Sequence, residues 1–263
     1  MFRLIACCLF FLTLPAPAHG DSDARPVDHF TLREAADFSK QVERELAERG
    51  AYIALVFRSG RPRDDLPDGV RYTHAAFWVY GPVTEFDGSQ GHGYAVYNLY
   101  HGQADPTRSY LAQDWPLDFM RGDAVGEVGV IIPSEAMQIR LLDVLASDQY
   151  DNLHQPAYSL LSNPSDLRYQ NCTEFMLDVI AAAAWLTDDR TRIKINLDAY
   201  FAPTLVRLGW WQRLTAGWFD PRIRLDDQAS GPVEIASFTS IADFMLAFEL
   251  AEESFEIQAG FGE

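Results

Sequence analysis

The sequence predicts an α+β fold in which an antiparallel sheet packs against helices. Three observations lead there. Amphipathic segments long enough for helices are mixed along the chain with short apolar runs that read as strands. The core strands follow one another without the alternating crossover helices that a parallel sheet requires. No segment has a linker's composition, so one domain is expected over residues 19–263.

The elements come in the following order. The opening "MFRLIACCLFFLTLPAPAHG" places one basic residue, Arg3, before an apolar run and a small-residue stretch. That is a signal-peptide layout, too short to cross a bilayer as a stable anchor, and Ala16 and Ala18 put the cleavage after residue 18. "TLREAADFSKQVERELAERG" is a helix opened by a capping box, Thr31 with Glu34, and closed at Gly50. "AYIALVFR" is a short, continuously apolar run and reads as a buried strand. The Gly, Pro and Asp content of residues 58–69 makes a loop. "YTHAAFWVYG" and "YAVYNLYHG", joined by a Gly-rich connection, read as an antiparallel hairpin. "EVGVIIP" is a third strand, and Ser134 opens an amphipathic helix after it. "NCTEFMLDVIAAAAWL" is a helix with Asn171 as its cap. A helical segment around residues 196–209, the aromatic "WWQRLTAGWFD", a strand "PVEIASF" and a final helix "SIADFMLAFELAEE" complete the order.

Composition narrows the function. The formal net charge is −17, one unit more negative once Arg3 leaves with the signal. Such a surface repels phosphate backbones and anionic headgroups, so no nucleic-acid partner is expected, and no further segment is apolar for long enough to span a membrane. The signal predicts an exported protein, periplasmic or secreted. Its removal takes Cys7 and Cys8, which leaves Cys172 as the single cysteine of the mature chain and no internal disulfide.

A lone thiol in an exported protein is buried and inert, paired with another molecule, or kept for chemistry. With Asn171 as cap, Cys172 stands in the first helical turn, where free N–H groups and the positive dipole end favour a thiolate. The same N–H groups can face a developing oxyanion. A base is still needed. His74 starts a strand and shares a face with Ala76 and Trp78 by alternation. Asn98, midway along the next strand, is able to fix the His74 ring if the hairpin pairs in register. His101 at the end of that strand is the competing third member. On strand position alone, a core histidine satisfied by a backbone carbonyl is the bland reading of His74.

This order of residues resembles the circularly permuted branch of the papain-like NlpC/P60 superfamily, in which the histidine precedes the cysteine. "THAAFWV", "YAVYNLYHG" and "YQNCTEF" carry the resemblance over about half the chain. The resemblance implies a permuted papain-like core at about 50–185 with a C-terminal extension, 186–263. It implies that Cys172 attacks a carbonyl carbon, His74 serves as base and then acid, and Asn98 holds the imidazole. The Cys172 N–H, with Gln170 or Asn171 as further candidates, would bind the oxyanion. The substrate class implied is an amide bond in a peptide or cell-wall fragment. The mature chain as a whole resembles a family of exported bacterial proteins known only as a domain of unknown function.

Other constellations carry less. His92 and His101, nine positions apart, fall on opposite faces of a straight strand, so no metal or other cofactor is expected. Trp210, Trp211 and Trp218 would line a groove or fill a core. A different class also fits the sequence: an exported binding or assembly protein without turnover, with Cys172 buried at a helix start.

Overall fold

The structure, a computed structural model, describes residues 29–84, 88–209 and 220–260. The expected signal segment, including Cys7 and Cys8, and the tryptophans Trp210, Trp211 and Trp218 lie outside the described residues.

The sheet is antiparallel throughout and has six strands. β1 (Ile53–Arg58) lies inside it, and β2 (His74–Thr84), β3 (Gln90–His101) and β4 (Ser109–Asp114) extend it as a meander to one side. On the other side of β1 come β5 (Glu127–Pro133) and β8 (Ala251–Gln258). β1 is buried along its whole length, as its continuous apolar run requires, because both its faces are covered. α1 (Leu32–Glu48) and α2 (Pro116–Arg121) cover one face with Phe38, Val42, Leu46 and Phe119 against Val56, Trp78 and Val130. α3 (Glu135–Leu145) and α5 (Cys172–Trp185) cover the other, against Leu55, Phe77 and Ile131.

α1 starts at the expected capping box, with the Glu34 N–H on Thr31 and the Glu34 carboxylate on the Thr31 N–H. Between β3 and β5, where the sequence predicts no element, β4 and α2 stand, and the polar "SDQYDNL" stretch holds the short helix α4 (Asp148–Asn152). α6 (Arg190–Tyr200) ends before β6 (Thr204–Val206), which pairs with β7 (Val233–Ile235) in a separate two-stranded ribbon.

The final helix is shorter than expected. α7 (Phe238–Ala247) stops where Glu249 takes φ 57°, and "AEESFEIQ" turns back as β8 onto β5. A helical pattern and a strand pattern meet in that segment, and the open edge of β5 decides for the strand. Residues 251–258 therefore form the edge strand of the sheet beside β5. Among the described residues, no helix is long and apolar enough to cross a membrane.

Candidate active site

Cys172 is the first residue of α5. The Asn171 side chain accepts the Glu174 N–H at 2.9 Å and the Thr173 hydroxyl at 2.8 Å, and its own amide donates to the Leu160 carbonyl at 3.1 Å. Its side-chain oxygen is thus spent on anchoring the helix start, which makes Asn171 the cap. Twelve of the helix's fourteen residues are buried, so α5 is sunk into the core and drives its first turn against the sheet.

The thiol meets β2 where β2 and β3 part, since their pairing begins only at Ala76 and Asn98. The thiol donates to the Thr73 carbonyl at 3.8 Å, and the Ala75 N–H acts to lower its pKa. These two peptide groups flank His74, so the thiol lies against the backbone of the strand start. The His74 ring turns toward β3, where its Nε2 lies 3.0 Å from Asn98 Oδ1. It stacks on Tyr100 at 4.9 Å between centroids and meets Phe119 at 5.6 Å.

Asn98 is itself oriented. Its amide nitrogen donates to Asp114 Oδ2 at 3.2 Å and to the Val96 carbonyl at 3.3 Å, which leaves Oδ1 to accept from the imidazole. The Tyr100 hydroxyl donates to the same Asp114 oxygen at 2.7 Å. A chain from Asp114 through Asn98 to His74 therefore sets the Nε2–H tautomer and leaves Nδ1 as the nitrogen with a free lone pair.

The other named residues sit elsewhere. Both protons of the Gln170 amide are committed, to the Leu153 carbonyl at 3.2 Å and Asp178 Oδ2 at 2.7 Å. This corrects Gln170 as an oxyanion donor: no proton remains for that task. His101 lies three positions beyond Asn98 and so points to the opposite face. There its Nε2 accepts from Arg222 at 3.2 Å and its ring meets Tyr158 at 5.6 Å. Among the described residues, no three His, Cys, Asp or Glu side chains are grouped to hold a metal ion.

Electrostatics reverse one expectation. Burial pushes the Cys172 thiol up, and it outweighs the lowering by the Ala75, Thr173 and Cys172 N–H groups and by Arg58. Burial, with Arg58 as the next cause, pushes His74 down to about 3. Both groups therefore rest neutral, thiol and imidazole alike, in contrast to the thiolate that the helix end alone predicts.

Three contributors escaped the sequence reading: Arg58, Asp114 and Tyr100. Arg58 ends an apolar strand in register with His74, and Asp114 ends the strand that had not been assigned. The charge closing "AYIALVFR" was the one visible signal.

No curated protein and no solved structure matches this chain. A family model does match residues 45–245, a span that includes Arg58, His74, Asn98, Asp114 and Cys172. The chain therefore belongs to the family described as an uncharacterized protein conserved in bacteria (DUF2145).

Proposed function

We propose that this protein is an exported cysteine hydrolase that cleaves amide bonds with a permuted papain-like, NlpC/P60-like arrangement. One observation carries the reading: the Cys172 sulfur lies against the peptide groups flanking His74, whose ring is oriented by Asn98 and Asp114. A histidine buried merely for packing needs no such three-member relay.

In this reading Nδ1 of His74 takes the thiol proton as the sulfur bonds to the substrate carbonyl carbon, and the oxyanion meets the N–H groups of the α5 first turn. The imidazolium returns that proton to the departing nitrogen as the C–N bond breaks, which leaves a thioester on Cys172. Water then gives a proton to His74, attacks the thioester carbonyl, and releases a carboxylic acid and the thiol. A peptide or cell-wall fragment supplies such an amide bond outside the cytoplasm.

The test is acylation. The mature protein, given peptide amides and cell-wall fragments, should form a thioester adduct on Cys172 visible by intact mass. The Cys172→Ala and His74→Ala variants should lose at least about a thousandfold in turnover. Because His74 titrates only near 3, kcat/KM should not fall on the acid side until pH approaches that value. Turnover at the wild-type rate by folded Cys172→Ala would sink the proposal.

The second reading, a binding protein without turnover, draws on the 7% exposure of Cys172 and its raised pKa. It predicts no adduct with any acyl donor and unchanged partner binding in Cys172→Ala.

A further inference from the structure

Arg58 ends β1 directly opposite His74, so both side chains project to the same face of the sheet. It is 5% exposed, and its guanidinium lies 5.1 Å from the centroid of the Phe119 ring that also meets His74. One nitrogen donates to the Gly122 carbonyl. A Cβ at Gly122 would come within 2.4 Å of the guanidinium carbon, so the glycine is what gives the cation its place. Among the described residues Arg58 Nε has no partner, and no carboxylate forms an ion pair with the guanidinium.

We infer that Arg58 is a positioning residue of this site, a fixed buried cation opposite His74 whose field keeps a proton from resting on the imidazole and partly offsets the burial that keeps Cys172 a thiol. That role rests on the hydrolase reading, while the charge effect is measurable without any substrate. A cation favours the thiolate and opposes the imidazolium, so a proton taken up by His74 during attack is held weakly and passes readily to the leaving group.

The charged and titratable groups around it are His74 on β2, Tyr100 on β3, Asp114 at the end of β4, Asp123 after α2 and Cys172 on α5. His101 on β3 also acts on His74, in the same direction as Arg58. Asp114 and Asp123 partly offset the cation. Their oxygens are bound elsewhere, Asp114 to Asn98 and Tyr100 and Asp123 to the Ser59 and Gly126 N–H groups.

The sign of two shifts tests this. The pH dependence of Cys172 alkylation by iodoacetamide and the imidazole NMR titration of His74 are measured in wild type and in Arg58→Met, Arg58→Lys and Gly122→Ala. Removing the cation in Arg58→Met should raise both midpoints and slow alkylation at fixed pH about tenfold. Arg58→Lys should stay near wild type. If Arg58 only packs, its loss admits water, which raises the imidazole midpoint and lowers the thiol midpoint. A thiol midpoint that falls or stays put in Arg58→Met therefore overturns the inference. Gly122→Ala displaces the guanidinium without removing it and should move the thiol midpoint upward as well. It decides by the same sign if Arg58→Met does not fold. Loss of adduct formation in Cys172→Ala, or its absence in wild type, bears on the hydrolase reading alone.

Discussion

At the residue scale, two groups in this site are displaced from their ordinary ionisation by the same cause. Burial withdraws water from the Cys172 thiol and the His74 imidazole, and each is pushed toward its neutral form. The helix end that favours a thiolate acts on Cys172 through N–H groups, but a partial charge does not outweigh full desolvation here. His74 also ties site chemistry to stability. Its folded-state pKa, about 3, lies below its unfolded value near 6.5, so the unfolded chain binds the proton first. The native state therefore loses stability as pH falls from about 6.5 toward 3, by up to about 1.4 kcal/mol per pH unit from this residue. His74→Gln should flatten that part of the curve, read by urea unfolding at pH 4 to 6.5. An unchanged slope would show that His74 is protonated in the folded protein.

At the element scale, α5 is held by a buried ionic knot. Lys194 on α6 donates to Glu174 at 2.6 Å and to Asp178 at 2.7 Å, both on α5 four positions apart, and all three are buried. Burial, and after it the charge of Asp178, pushes Glu174 up to about 8, while the two carboxylates hold Lys194 charged. Lys194→Met would leave Glu174 without a cation and Asp178 with only Arg190, 3.8 Å away, and should cost about 3–5 kcal/mol in urea unfolding. Adding Glu174→Gln and Asp178→Asn removes the charges left behind and should recover most of that loss. A Lys194→Met variant as stable as wild type would mean that the knot carries no net stability. The knot ties α6 to the first two turns of the helix that Cys172 opens.

At the scale of the whole molecule, the sheet is closed by the end of the chain. β8 pairs with β5 from Gln258 to Ala251, and its Ile257 joins the core beneath α1. On β8, Glu253 pairs with Arg49 of α1 at 2.8 Å and Glu256 with Arg71 at 2.6 Å, which ties the edge strand to the rest of the molecule. Truncation after Leu250 would strip β5 of its neighbour and expose a row of backbone groups beside an apolar strand. The truncated protein should lose its cooperative thermal transition by circular dichroism and aggregate on gel filtration. A melt within a few degrees of the full-length protein would show that β8 is dispensable.

What was legible in the sequence was local. The capping box at Thr31 and Glu34, the cap at Asn171, the continuous apolar run of β1 and the hairpin of β2 and β3 each follow from spacing within a few residues of one another. Alternation puts Asn98 on the face of His74 if the hairpin pairs in register, but it leaves His101 as a competing third member, and the register of the structure separates the two. Tertiary structure decided what spacing cannot reach. Residues 251–258 alternate weakly and follow a helix, and only the vacant edge of β5 makes them a strand. Arg58 and Asp114 join His74 from separate strands, and the thiol's ionisation depends on how deeply α5 is sunk. Pairing and burial are set by contacts between distant segments, and desolvation is a property of the packed interior that no short stretch of sequence carries.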